Sequence, residues 1–185
     1  MGDKKKLKVP PSFIGDKVYL RPATAEDVAN SHHWQEQCEP TSRSCRPMPF
    51  MSAAEVAESY GKRERSPNIQ LFMIIKQKDK TPVGQIRFFD MNTLNRSAEF
   101  GLLVDPDEQK NGYGLEATRI LCRYLFRSRG LNKVYAQTGS FNKAAIKLLE
   151  KVGFKLDGTL RRHMFHDGEF HDALVYSILQ HEFER

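Results

Sequence analysis

Cysteine is scarce in this chain of 185 residues, and long apolar runs are missing. The three cysteines, Cys38, Cys45 and Cys122, are odd in number and form no CxxC pair, which argues against a disulfide framework and against a zinc site. No apolar run approaches the roughly 20 residues that cross a bilayer, and no apolar segment of a signal peptide follows the charged start. These absences predict a metal-free protein of the reducing cytoplasm.

The composition is that of a folded globule. Hydrophobic residues make up 39% of the chain and 12 residues are Phe, so one domain with a sizeable core is expected. The lysine-rich start predicts a flexible basic tail over 1–15, followed by a single domain over 16–185. The net charge of +6 comes mostly from scattered residues without a nucleic-acid-binding motif, so neither nucleic acid nor a membrane is a predicted partner.

Hydrophobic spacing predicts a mixed α/β fold in which a helical period and a strand period alternate along the chain. Thr24 with Asp27, and Ser52 with Glu55, have the spacing of capping boxes and predict two helix starts. Asp167-Gly168 predicts the turn of a final hairpin. The predicted strands are 17–21, 70–76, 83–89, 98–104, 133–138, 160–166 and 169–179; the predicted helices are 24–37, 52–65, 112–129 and 142–151, with a proline-rich loop over 39–50.

The segment 109–114, Gln-Lys-Asn-Gly-Tyr-Gly, lies between a predicted strand and a predicted helix. Its glycines let the backbone approach a ligand, and the first N–H groups of the helix favour an anion such as a diphosphate. A Rossmann site would need GxGxxG in a parallel unit, whereas position 117 is Ala and the preceding strands have the pattern of an antiparallel meander. A Walker loop would need GxxxxGK[ST], which is missing.

With these features the sequence resembles the GNAT superfamily of acetyl-CoA-dependent N-acetyltransferases. Gln109, Gly112 and Gly114 match its Q/RxxGxG/A pattern, the strand 98–104 precedes them, and 142–154 is similar to the second helix of the family with its closing Gly-Phe. The resemblance covers 18–182. Within the superfamily the chain resembles the branch of ribosomal-protein N-terminal and related small-amine acetyltransferases, on 114–117, 150–154, 167–172 and 176–179.

This resemblance implies a GNAT-like fold, with a mainly antiparallel central sheet that splays at the cofactor site and about four flanking helices. It implies acetyl-CoA as co-substrate and no metal; a homodimer is an open option. Backbone groups of the splayed strand would hold the thioester and the pantetheine arm, and the glycine loop would hold the diphosphate. The implied cofactor-binding residues are Leu102, Leu103, Val104, Gln109, Lys110, Asn111, Gly112, Tyr113, Gly114, Leu115, Asn142 and Lys147.

Glu99 is the candidate general base, because histone-acetylating members carry a glutamate on this strand and a carboxylate there could take a proton from an ammonium. Glu99 lies ten positions before Gln109, against eleven in that branch, and one residue inverts the face of a strand unless a bulge compensates. The usual proton donors of the second helix, a Tyr and a Ser, are replaced by Leu149 and Ala145. Water or another hydroxyl, such as Tyr135 or Ser140, would have to protonate the leaving thiolate.

The acceptor side is less defined by the sequence. Trp34 lies on the helix that borders the acceptor in this family and is either a wall of that site or a core residue, and His163 and His171 near the last turn are further candidates to line it. The expected reaction is direct attack by a primary amine of a small molecule, such as an amino sugar or a polyamine, in a ternary complex. The alternatives are a protein N-terminal amine or lysine as acceptor, and a non-catalytic acetyl-CoA sensor.

Overall fold

A computed structural model of the protein describes residues 9–34, 51–62 and 66–183. Seven strands form one sheet in the order β1-β2-β3-β4-β5-β7-β6, and β4 with β5 is the single parallel pair among the described strands. The strands are β1 Val18–Pro22, β2 Gln70–Lys76, β3 Pro82–Asn92, β4 Ser97–Val104, β5 Lys133–Gly139, β6 Lys155–His166 and β7 Glu169–Leu179. The helices are α1 Ala25–Asn30, α2 Ala53–Gly61, α3 Tyr113–Arg127, α4 Lys143–Val152 and the short α5 Gln180–Phe183.

Apolar side chains pack on both faces of the sheet. The main core lies where α3 and α4 pack on one face, and strand residues such as Val134 and Phe100 meet helix residues such as Leu121 there. A smaller cluster of Trp34, Met73 and Ile75 occupies the opposite face. This division follows from the period of two along each strand, which sends alternate side chains to opposite faces. The predicted fold class, a mixed α/β fold with a mainly antiparallel sheet, is confirmed.

Both predicted capping boxes are present at the starts of α1 and α2. The first helix ends at Asn30, earlier than the predicted 37, and both the N–H and the hydroxyl of Ser31 donate to the backbone oxygen of Asp27, at 3.0 and 2.6 Å. The last positions predicted for both helices, 35–37 and 63–65, lie outside the described residues. The predicted loop 39–50 lies there too.

β6 begins at Lys155 rather than at 160. Its first half pairs with β7 through a register shift between Leu156 and Gly158, and most of its side chains are exposed on both faces. An edge strand of this kind lacks the apolar alternation by which a strand is recognised in a sequence.

The described residues begin at 9, within the predicted tail 1–15. Residues Pro11–Phe13 form a 3-10 turn, and the Phe13 ring packs against Phe72 and Tyr124 with centroid distances of 5.3 and 4.7 Å. This aromatic contact packs Phe13 on the main core, within the segment 1–15 that the sequence predicts to be a tail. Residues 1–8 lie outside the described part. Among the described residues, no helix has the length and apolar character needed to cross a bilayer.

Candidate active site

The glycine loop leads directly into α3. Gly112 is the N-cap of this helix, with a left-handed φ of 85° and no side chain to cap the first N–H groups. Lys110 is also left-handed, with φ 66°. Two left-handed residues in close succession thus lead into the helix, and the amides of its first turn would favour an anion.

Side-chain hydrogen bonds hold this loop on the sheet. The Gln109 amide donates to the backbone oxygen of Val104 at 3.4 Å, and the Asn111 amide donates to that of Glu108 at 3.2 Å. Glu108 in turn accepts from the Lys76 ammonium of β2 at 2.7 Å. The loop is therefore fixed to two strands before any ligand binds.

Gly114 is where α3, α4 and the end of β4 meet. A Cβ atom built on it would lie 3.1 to 3.2 Å from side-chain atoms of Leu102, Leu148 and Val104. Only a glycine lets these three elements approach so closely without displacement. The neighbouring Tyr113 and Leu115 pack their side chains on the main core, so their backbone groups are what they offer to a ligand.

The first strand also reaches the loop. The Glu116 carboxylate accepts from the backbone N–H groups of Asp16, Lys17 and Val18 at 2.7, 2.9 and 2.8 Å. This clamp places the Lys17 ammonium 3.1 Å from the backbone oxygen of Asn111. Sequence reasoning missed Lys17, because a lysine before a strand belongs to no motif and only the tertiary contact reveals it.

The sheet opens next to this loop. The parallel ladder of β4 and β5 joins Ser97 to Lys133, Ala98 to Val134 and Glu99 to Tyr135, and no further pair of these two strands follows within the described residues. β4 continues to Val104 and β5 to Gly139, so their remaining residues form the two walls of a cleft. The predicted splay of the sheet is confirmed.

Glu99 lies at the closed end of this cleft. The β3–β4 register runs without a bulge from Gly84 opposite Val104 to Phe89 opposite Glu99, so no bulge compensates the one-residue offset considered above. Glu99 therefore shares a face with Leu103, which packs on the Trp34 cluster, and its half-buried side chain lies on the α1 side of the sheet.

Tyr135 pairs with Glu99 across the closed end. Burial raises the pKa of the Tyr135 phenol, and the negative charges of Glu99 and Asp90 raise it further. The phenol thus stays protonated over the physiological range, beside the candidate base.

α4, which corresponds to the second helix of the family, carries no hydroxyl at positions 145 and 149, the two usual donor positions. Leu149 is 3% exposed and part of the main core. The N–H of Ala145 donates to the Asn142 side-chain oxygen at 3.2 Å, so Asn142 caps α4 and only its amide nitrogen is left to a ligand. Lys147 is exposed on the same helix.

The three residues predicted for the acceptor side lie in different surroundings. Trp34 is 6% exposed and packs with Met73 and Ile75, which makes it a core residue rather than an open wall. His171 lies beside Phe141, with ring centroids 5.0 Å apart, at the loop that precedes α4. His163 is exposed on β6 and is not part of that group. No cluster of three or more metal-ligating side chains occurs in the residues that the structure describes.

The α1 side of the sheet also carries polar contacts. The Arg21 guanidinium donates two hydrogen bonds to the Asp27 carboxylate, at 2.6 and 2.7 Å. Burial opposes ionisation of Asp27, but the hydrogen bonds from Arg21 and Thr24 hold its pKa below the usual value of 3.8. On the same face the Gln85 amide donates to the Ser31 hydroxyl.

Comparison with known proteins assigns this architecture. A family model described as an acetyltransferase (GNAT) domain matches residues 17–155. The chain therefore belongs to the GNAT acetyltransferase family, and the predicted enzyme class, an N-acetyltransferase, is confirmed.

Two relatives and one solved structure illustrate the range of the family. A spermidine N(1)-acetyltransferase of Escherichia coli K12 is 26% identical over 166 residues, which cover 90% of this chain and 88% of that protein. A putative ribosomal N-acetyltransferase, YdaF of Bacillus subtilis, is 29% identical over 57% of this chain and 58% of its own length. The crystal structure of spermidine N-acetyltransferase from Vibrio cholerae in complex with CoA and spermine superposes with a TM-score of 0.83, at 24% identity, over 92% of this chain and 100% of that one.

Proposed function

We propose that this enzyme transfers the acetyl group of acetyl-CoA to a primary amine of a small polyamine. The observation that carries the proposal is the early end of the β4–β5 ladder at Glu99 and Tyr135, beside a glycine loop that opens a helix. The cleft supplies unpaired strand edge for an extended arm, and the loop supplies N–H groups for a diphosphate. A domain over 16–185 would provide the whole site.

The residues present fit CoA. Gly112 and Gly114 leave the close backbone surface that a Cβ would fill, and Lys17 adds a cation at the loop. Backbone groups of Leu102, Leu103 and Val104 would pair with the pantetheine arm. The diphosphate would lie on 109–115, and Asn142 and Lys147 would contact the arm or the adenosine phosphate from α4.

The chemistry assigned to this chain is positioning and proton removal. Glu99 would accept a proton from the ammonium of the acceptor, directly or through water, so that the free amine attacks the thioester carbonyl in a ternary complex. A backbone N–H of the splayed strand, near Leu102 or Leu103, would stabilise the developing oxyanion. His163 and His171 remain candidates for the acceptor side, and Trp34 would act only by supporting Leu103.

A polyamine is favoured as acceptor for two reasons. The Escherichia coli relative, aligned over 90% of the chain, is a spermidine N(1)-acetyltransferase. A carboxylate at the closed end of the cleft would also attract a cationic acceptor into the cleft.

The test is a thiol-release assay with spermidine, spermine, an amino sugar, and peptides with a free N-terminus or a lysine. We expect turnover on the polyamines with kcat/KM at least tenfold above that on any peptide. Turnover on peptides alone would contradict the proposal and favour the protein-acceptor function named for YdaF. Calorimetric binding of acetyl-CoA without turnover on any amine would indicate a sensor instead.

A further inference from the structure

Thr138, near the end of β5, has a buried hydroxyl. The residue is 4% exposed, and within the described ranges 9–34, 51–62 and 66–183 its Oγ1 atom has no hydrogen-bond partner. Burial of an unpaired hydroxyl is unfavourable, and folded proteins rarely retain one without a reason. Such a group indicates a ligand that completes its hydrogen bonding.

Thr138 faces α3 and α4. Val134 and Ala136, two and four positions before it on β5, both belong to the main core. Leu174, its partner on β7, packs on the same core. The alternation of the strand thus sends the hydroxyl to the face where α4 closes over the sheet.

The β4–β5 register shows how far along the cleft Thr138 lies. The ladder pairs Glu99 with Tyr135, and the same offset continued along both strands sets Thr138 level with Leu102. This level is three residues, about 10 Å, beyond the closed end of the cleft. It is also the level at which the Leu102 and Leu103 amides would hold the thioester carbonyl.

We infer that the Thr138 hydroxyl donates a hydrogen bond to the sulfur of CoA and stabilises it as the leaving thiolate. The inference rests on the proposed function. As the amine nitrogen bonds to the carbonyl carbon, the C–S bond breaks and its electron pair stays on sulfur. The amine proton passes through water to Glu99, at the closed end of the cleft, and then to solvent, while Thr138 keeps its own proton and only donates the hydrogen bond.

The other candidate donors are placed less well. Tyr135 pairs with Glu99 at the closed end and, by the alternation of β5, lies on the opposite face from Thr138. Ser140 lies beyond the last residue of β5, and its backbone N–H is bonded to the Asp172 oxygen. Leu149 has no donor to offer. The hydroxyl missing from α4 is thus supplied from the facing strand.

The experiment compares the wild-type enzyme with Thr138→Val, Thr138→Ser and Tyr135→Phe. The CoA thiol is titrated in the bound complex by its thiolate absorbance in the ultraviolet. We expect bound CoA to ionise about one pH unit lower than free CoA in the wild type and in Thr138→Ser, and at the free value or above in Thr138→Val. We also expect kcat to fall about tenfold or more in Thr138→Val, with KM for acetyl-CoA within about twofold.

A stability measurement separates this role from a packing role. Thr138→Val replaces an unpaired hydroxyl by a methyl group of the same size, so the free protein should melt at or above the wild-type temperature while kcat falls. If the bound CoA thiol titrates equally in the wild type and in Thr138→Val, the inference is overturned and the proposed function stands. The same holds if the pKa shift of the thiol is lost in Tyr135→Phe rather than in Thr138→Val. Failure of the wild-type protein to bind millimolar CoA would overturn both.

Discussion

The Nζ atom of Lys17 lies 3.1 Å from the backbone oxygen of Asn111, one residue before the left-handed Gly112. A cation that precedes the first strand is thereby held at the loop proposed to bind a diphosphate. The contact uses one of the three donors of the ammonium, and the others remain available to an anion.

Lys17→Met should weaken CoA binding about fivefold at low ionic strength, because one partly exposed ionic contact contributes about 1 kcal/mol. The loss should shrink in about 0.5 M salt, where charges are screened within a few ångströms. Calorimetry at two salt concentrations measures it. Lys78→Met, which removes an exposed lysine from the β2–β3 turn, is the control; equal affinities of the two variants at low salt would exclude the Lys17 contact.

Gly112→Asp and Gly112→Asn separate backbone strain from charge. Both residues tolerate the φ of 85° better than other side chains do, and both place a Cβ near the Lys17 ammonium. Only Asp adds a negative charge where the diphosphate would lie. CoA affinity should therefore be at least tenfold lower for Asp than for Asn, and equal affinities in calorimetry would argue against an anion at this loop.

Glu99→Gln should lower kcat by roughly 10²- to 10⁴-fold, the usual effect of a general base, while the Kd for CoA stays within about twofold. The decline of kcat on the acid side should also disappear from the pH–rate profile. Asp90→Asn is the matched control, because Asp90 is a second carboxylate whose charge acts on Tyr135. A Glu99 variant with unchanged kcat and pH profile would make this residue structural.

Asp27 should make stability depend on pH. Its pKa is lower in the folded protein than the usual 3.8, so its contribution is present above about pH 4 and is lost as pH falls through the folded value. Asp27→Asn should lower the free energy of unfolding by roughly 2 kcal/mol at pH 7, since it breaks charged hydrogen bonds to Arg21.

Urea unfolding from about pH 7 down to about pH 2.5 tests this expectation. The wild-type and Asp27→Asn curves should converge at the acid end, and Asp107→Asn, at an exposed position, should follow the wild type throughout. A constant gap between the first two curves would show that Asp27 acts through something other than its charge.

The sequence was most informative where a local pattern has a local cause. Ser52 with Glu55 predicted a helix start because both hydrogen bonds of a capping box lie within four residues. Gly112 was recognisable because its left-handed φ and its missing Cβ are properties of the residue itself. The end of the β4–β5 ladder at Glu99 came only from resemblance, since no local pattern says where two distant strands separate.

Tertiary position explains what the sequence did not predict. Thr138 is one threonine in a strand, and only the structure shows that its hydroxyl has no partner among the described residues, at a level where β4 and β5 no longer pair. Trp34 could have been a wall or a core residue until its neighbours Met73 and Ile75 were placed. β6 was predicted too short because its exposed first half has no apolar period.

The Glu116 clamp has a consequence for the order of folding. The amides that it holds lie 98 to 100 residues earlier in the chain. During synthesis β1 can pair with β2 as soon as β2 has emerged, but the amides of Asp16, Lys17 and Val18 cannot donate to Glu116 until α3 has been made. The loop proposed to bind the diphosphate is therefore completed only after α3 has been made, and a nascent chain arrested before α3 would contain β1 to β4 without the Glu116 contacts.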